Sequence, residues 1–327
     1  MAEYKGIHGT KIQNYTTDPD NPITGQVWYN ETSQTMKFQY PTTIAAWSTG
    51  GNLNTARSSI NGAGTTSSGL AFGGPGTVIT ESYNGSAWTE VNDLNTARYV
   101  GASFGTSTPF IFAAGYNGSS NVTNVESWDG TNWTEVNDVN TARRGVHGGG
   151  TSTSGIIAGG TGGLGNVETW NGTSWTETTD LNTPRTSAQM SATDSTAAVV
   201  YGGYNPGSST TIALNELWNG SSWTEVNDLN TARSNARGVG TATAGLVFAG
   251  YKDTPAPAAN ISPAATELWN GTSWSNDTAQ PTPVRNMAGG GTSSDAFGAG
   301  GYTTVNVATT LEWTGAGSPV TQTFTDS

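Results

Sequence analysis

The sequence predicts an all-β chain built from six copies of a four-stranded unit. Three observations carry that prediction: a phrase that returns along the chain, short apolar runs bounded by glycine, and a composition poor in helix formers. The phrase reads "ETWNGTSWTETTDLNTPR" at 168–185 and "ELWNGSSWTEVNDLNTAR" at 216–233. Of 327 residues 45 are glycine and only 11% are charged. Helices favour Ala, Leu, Glu and Lys, whereas Gly and Asn favour turns, so the apolar runs read as strands.

The arginine closing each "LNTAR" measures the period. It falls at Arg57, Arg98, Arg143, Arg185 and Arg233, and a degenerate "QPTPVR" places a sixth at Arg285. The spacings are 41, 45, 42, 48 and 52 residues. Trp47, Trp88, Trp133, Trp175 and Trp223 each stand ten residues before their arginine, and Trp274 stands eleven before Arg285. A period of this length with four strand signals per unit is the signature of a β-propeller.

Each unit reads in the same order. After the arginine comes a small-residue strand ("SSINGAG", "YVGASFG", "RGVHGGG"), suited to the innermost position, where blades converge. Then comes an apolar strand such as "GLAFGG" or "AVVYGG", the buried centre of the blade. A third strand ends on an aromatic: Tyr83, Trp128, Trp170, Trp218, Trp269 or Trp313. Asn-Gly or Asp-Gly follows in five units, predicting a type I′ hairpin, and the second tryptophan opens the fourth strand. The last unit lacks that tryptophan. "IAAWSTGG" around Trp47 supplies the missing outer strand and predicts a six-bladed ring closed by the N-terminal segment. The expected divisions are 1–43, an N-terminal attachment or oligomerisation segment; 44–320, the propeller; and 321–327, a C-terminal tail.

A diglycine, an aromatic, a tryptophan and an arginine opening the next unit resemble the kelch repeat, over some five-sixths of the chain. Ala114-Gly115 and Ala249-Gly250 weaken the diglycine, a change a strand end should tolerate. Some kelch propellers are copper oxidases using His, Tyr and Cys; with no cysteine and only His8 and His147, that site cannot be built here. His147, on an inner strand, reads as a packed or channel-lining residue.

Composition excludes several functions. The formal charge is −12 and the basic residues are scattered, so no nucleic-acid partner is expected. No apolar run is long enough to span a bilayer, and "MAEYKGIHGT" lacks the apolar core of a secretory signal. Without cysteine there are no disulfides and no thiolate zinc sites. No metal or cofactor is expected; "DPDNP" at 18–22 reads as a solvated turn, short of the ligand count calcium needs.

The repeated arginines would form a ring by symmetry, as an anion site would. Each unit also carries acids, however. Glu81, Glu126, Glu168, Glu216 and Glu267 stand two residues before the first aromatic, and Glu90, Glu135, Glu177 and Glu225 two after the second tryptophan. Residues i and i+2 of a strand share a face, and half-buried acids need partners, so structural Arg–Glu pairs are predicted. No catalytic residue emerges. "GASFG" at 101–105 matches the nucleophile-elbow pattern at Ser103, but lies on an inner strand, where no strand-to-helix turn exists. "NGTSW" is faintly similar to the Asp-box of sialidases, without the two-carboxylate constellation of a glycosidase. Asn84, Asn171, Asn219 and Asn270 begin glycosylation-like triplets that read as hairpin turns.

The first 43 residues stand outside the repeat. "GQVWYNETSQTMKFQY" predicts a hairpin, with Trp28, Tyr29, Phe38 and Tyr40 as attachment residues, because one hairpin is too small to fold alone and its apolar side needs a cover. "NYTTDPDNPITGQVWYNETSQTMKFQY", running on into the repeats, resembles the N-terminus of structural proteins of marine tailed phages. The resemblance implies a virion component assembled in the host cytoplasm: a tail fibre, spike or capsid-decoration protein. It would attach to other virion proteins through its N-terminus, possess no enzyme activity, and turn its propeller outward toward a host-surface glycan or protein. Homo-oligomerisation is compatible with it, as a protein-interaction adaptor of the kelch type is with the repeats alone. The longest insertions, 204–215 and 251–266, mark the candidate contact loops, with Tyr204, Asn205, Tyr251, Lys252 and Asp253.

Overall fold

The computed structural model describes residues 12–19, 25–41, 44–105, 108–253, 262–317 and 319–324. The chain divides into two compact units, Met1–Ala46 with Gly315–Ser327, and Trp47–Thr314. Every regular element among the described residues is a strand.

The large unit holds six four-stranded sheets. Sheet I comprises Asn61–Thr65, Ser68–Phe72, Thr80–Tyr83 and Trp88–Val91. Sheet II comprises Ala102–Phe104, Phe110–Ala113, Val125–Trp128 and Trp133–Val136; sheet III, His147–Thr151, Ser154–Ala158, Val167–Trp170 and Trp175–Thr178. Sheet IV comprises Gln189–Asp194, Ala197–Tyr201, Asn215–Trp218 and Trp223–Val226; sheet V, Arg237–Thr241, Ala244–Phe248, Thr266–Trp269 and Trp274–Asp277. Sheet VI joins Ala288–Gly291, Asp295–Ala299 and Thr310–Thr314 to Ala46–Thr49, the segment around Trp47. The second strands carry each sheet's core: Ile156, Ile157 and Ala158 in sheet III and Ala198, Val199, Val200 and Tyr201 in sheet IV are all buried. Small residues on the first strands permit close approach between sheets. A Cβ on Gly62 would fall 2.5 Å from the Gly289 amide nitrogen of sheet VI.

The linker entering each sheet is fastened by one repeated set of contacts. Arg57 lies 2.9 Å from Glu81, Arg143 3.0 Å from Glu168 and Arg233 2.5 Å from Glu267, while Arg98 pairs with Glu126 and Arg185 with Glu216. All ten side chains are buried. Burial pulls each of these arginine pKa values down, and the partner glutamate pulls it back up. The glutamate's other oxygen accepts the backbone N–H of the linker asparagine, at 2.7 Å from Asn54 and 2.7 Å from Asn230. The guanidinium also caps strand-end carbonyls, including Gly73 and Gly202. The predicted structural pairs therefore exist for the first set of glutamates, and each ties a linker to the third strand of the sheet it enters; in the second set Glu135 and Glu177 accept instead from Asn124 and Asn166.

The sixth unit corrects the ruler. Arg285 is not the sixth buried arginine. Val284 stands ten residues after Trp274, and its carbonyl accepts from Gly250 as the Arg233 carbonyl accepts from Gly203. Val284 is buried, Leu311 replaces the glutamate, and Pro281, which has no N–H, replaces the asparagine. All three polar members have been exchanged together, so no buried charge is orphaned. Arg285, one residue on, lies over the rings of Tyr251 and Tyr302 at 4.8 and 5.0 Å.

Cross-strand aromatics close the outer edges. Trp128 pairs with Trp133, Trp170 with Trp175, Trp218 with Trp223 and Trp269 with Trp274, with ring centroids 5.1–5.4 Å apart. Trp313 of sheet VI meets Trp47 at 5.3 Å. The second tryptophan also reaches the preceding sheet: the Trp133 ring N–H donates to Thr80 Oγ1 at 3.1 Å and that of Trp88 to Thr310 Oγ1 at 2.8 Å.

The hairpins between these aromatics differ from the expected type I′ turn. Four residues, Asn84–Ala87 in sheet I, separate Tyr83 from Trp88. Only the glycine takes positive φ, at 92° for Gly85. The asparagine instead accepts backbone N–H groups through its side chain, from Ser86 at 3.0 Å and Ala87 at 2.9 Å. Asp129 does the same in sheet II, which explains why Asp serves there. The diglycine is likewise more than a strand end: Ala114 and Ala249 take φ of 58° and 62°.

The small unit is one four-stranded sheet in the order Gln13–Tyr15, Val27–Asn30, Thr35–Pro41, Pro319–Thr323. The hairpin lies where expected, but it gains a parallel strand on one side and the chain's C-terminal strand on the other. Residues 321–323 thus belong to a sheet rather than to a tail. Trp28 is fully buried by its own chain, which removes it from the exposed patch expected of an attachment residue. Its ring N–H donates to Asp18 at 3.0 Å, as Asn30 does at 2.7 Å and Lys37 at 2.6 Å. Those donors, Lys37 first, hold the Asp18 carboxyl at about 2, so this carboxylate of the predicted solvated turn is engaged within the sheet. Tyr29 and Phe38 are half-buried, and Phe38 packs on Phe324 at 4.6 Å. The Tyr40 side chain lies outside the described residues.

Two stability measurements follow. Glu267→Leu strands a buried guanidinium and is expected to cost about 3–5 kcal/mol by denaturant unfolding, whereas adding Arg233→Val, the sixth unit's solution, is expected to recover most of the loss. Val100, a β-branched residue at φ 50°, occupies the position held by Asn235 and Asn286 in other units. Val100→Asn is expected to raise stability by about 1 kcal/mol, read as an upward shift in thermal midpoint.

Candidate functional site

Two residues beyond each linker arginine, or beyond Val284, the backbone turns left-handed: Ser59, Val100, Gly145, Ser187, Asn235 and Asn286 all have φ of 50–63°. Backbone hydrogen bonds run between them from sheet to sheet. Gly145 donates to Val100, Ser187 to Gly145, Asn235 to Ser187, Asn286 to Asn235, and Ser59 to Asn286, at 2.8–3.0 Å. These residues line one mouth of a cavity of about 160 Å³, whose walls are the first strands of the six sheets.

Immediately outside that mouth lies a rim of aromatic and cationic side chains. In four of the six units the residue after the linker arginine, or after Val284, bridges to the residue after the diglycine or its Ala-Gly equivalent: Tyr99 to Tyr116, Thr186 to Tyr204, Ser234 to Tyr251, and Arg285 to Tyr302. Arg144 lies 4.1 Å over the Tyr116 ring. The candidate contact loops meet here. Tyr204–Asn205 pairs with Thr210–Thr211 in a small hairpin. Thr211 N donates to Asp253 Oδ2 at 3.1 Å, and Asp253 N donates to Thr211 Oγ1 at 3.2 Å. Sequence reasoning chose these two insertions separately; the structure joins them. Lys252 forms a short bridge beside Tyr251, and residues 254–261 of the second insertion lie outside the described residues.

Within the cavity the polar residues are few. Ser103, the would-be nucleophile, is on a strand and donates to the Gly62 carbonyl at 2.9 Å. Asn61 donates to the Gly101 carbonyl at 2.8 Å, and Gln189 accepts from Gly238 N at 3.0 Å. His147 is held neutral: burial pushes its pKa down to about 3, and the nearby Arg237 charge acts in the same direction. Arg237 itself is lowered to about 10 by burial. Arg237 stands outside the repeated arginine positions, and its place on an inner strand was the signal in the sequence that could have found it. Among the described residues no group of three His, Asp or Glu side chains is placed to hold a metal.

No protein-family model matches the chain, and no curated protein matches it. Among solved structures, that of YjhT, a β-propeller-like protein, is similar with a TM-score of 0.69 at 9% identity, covering 83% of this chain and 99% of that one. At that identity the likeness shows the fold alone: an all-β, β-propeller-like arrangement of four-stranded antiparallel sheets.

His147 supplies a pH prediction. Between about 3 and 6.5 the unfolded chain binds a proton that the folded chain refuses, so stability rises with pH through that window and erodes as pH falls. His147→Gln is expected to flatten the slope of unfolding free energy over that range, and the wild-type ring is expected not to titrate by NMR between about pH 5 and 8.

Proposed function

We propose that the protein is a non-enzymatic structural component of a tailed-phage virion, a fibre, spike or capsid-decoration protein. The six sheets are the blades of a closed, kelch-like propeller. The small sheet is the attachment element toward other virion proteins, and the rim carrying Tyr204, Asn205, Tyr251, Lys252 and Asp253 contacts a host-surface glycan or protein. The backbone bond from Ser59 to Asn286 and the contact of Trp47 with Trp313 support closure, because each joins the first part of the repeat region to the last.

The observation that carries the reading is a division along the chain. Residues outside the repeats, drawn from both termini, join in one small sheet of their own, while the longest insertions in the repeats gather at one rim. A separate element suits attachment, and variable loops on a rigid scaffold suit recognition.

Light scattering tests this. The comparison is the full chain against one trimmed to Ile44–Ala316, which removes Thr35–Pro41 and its partner Pro319–Thr323 together and so leaves no strand of that pair unmatched. An oligomer that becomes a soluble monomer on trimming is the expected outcome. Two monomers would remove self-assembly from the role of the small sheet and favour an adaptor that docks a foreign protein.

A further inference from the structure

The cavity holds a charge that the chain does not answer. Arg237 begins the first strand of sheet V, where the other sheets begin with Asn61, Ala102, His147, Gln189 and Ala288. Its Nη2 donates to the Gly62 carbonyl of sheet I at 2.7 Å, so the side chain reaches past sheet VI. Gly289 of sheet VI makes the room, since a Cβ there would fall 2.8 Å from Arg237 Cγ. Nε is buried without a partner, and Nη1 makes no hydrogen bond among the described residues. Five other arginines have a glutamate at hand; among the described residues Arg237 has none, and no cavity-lining residue is acidic.

An unanswered charge on a half-buried side chain whose Nε is itself buried is costly, and in a chain of net charge −12 acids were available to answer it. With His147 neutral, the guanidinium is the only charge on the walls described. A volume of about 160 Å³ accepts on the order of ten water-sized spheres, enough for a small anion or the acid group of a sugar. We propose that this cavity binds a small oxyanion, a carboxylate or phosphate, with Arg237 as the counter-charge. Asn61, Ser103 and Gln189 are already engaged with backbone groups and form a neutral polar wall. The guest enters by the mouth between the left-handed residues. The site does not depend on the virion reading.

Isothermal titration at constant ionic strength set with sodium chloride tests the proposal, using inorganic phosphate, D-glucuronate, acetate and, as a neutral control, D-glucose. Saturable binding of phosphate or glucuronate but not glucose is expected, weakened about ten- to hundredfold in Arg237→Met. Glucuronate binding well above acetate identifies a sugar-borne acid; phosphate binding as tightly as glucuronate identifies a free oxyanion. Because Arg237→Met strands no partner charge, its thermal midpoint without anion is expected at or above that of the wild type. Should that variant not fold, the wild-type His147 ring signal reports the site, and it is expected to shift saturably on titration with phosphate or glucuronate. Absence of saturable binding by both anions, binding that survives Arg237→Met unchanged, or binding that leaves His147 unmoved overturns the proposal.

Discussion

The buried ion pair between a linker arginine and a third-strand glutamate is the interaction on which the rest of the large unit depends. Taking two charges from water costs several kcal/mol each, so such a pair is a poor source of net stability. Its value is geometric. A guanidinium that must satisfy one carboxylate and several strand-end carbonyls has few permitted positions. The sixth unit supports this view, because Val284 and Leu311 hold the same place without charge. What is kept across all six crossings is the position of the linker, and five of them fix it with polar partners.

From that position the other features descend. Two residues on, the chain turns left-handed and bonds to the neighbouring crossing. The strand that follows must be small where sheets converge, as at Gly62 and Gly289. The result is a narrow cavity with a structured mouth. Long side chains on those strands are exceptions to the small-residue rule. Arg237 is the one that brings charge to the cavity wall, while Gln189 and His147 remain neutral.

Much of this was legible because the repeated residues carry the contacts. The Arg and Trp periods are visible in sequence since each arginine needs its glutamate and each tryptophan its cross-strand partner. The ruler failed at Arg285 because it followed residue type; the ten-residue spacing from Trp274 leads to Val284. The turn failed for a related reason. Asn-Gly is the type I′ dipeptide, but four residues separate the aromatics, and the asparagine acts through its side chain. The pairing of Pro319–Thr323 with Thr35–Pro41 joins residues nearly a whole chain apart, and no local pattern encodes a partner at that distance. The meeting of Thr211 with Asp253 was hidden in the same way.

The fixed crossings hold the six sheets as one cooperative body. Native-state hydrogen exchange of the left-handed residues tests it most directly, because the Ser59 amide bonds to Asn286 across the join between the first and last sheets. Ser59 is expected to exchange only through global unfolding, with the same opening free energy as Ser187 and Asn235. Exchange of Ser59 through a much smaller local opening, while Ser187 and Asn235 stay protected, would contradict it.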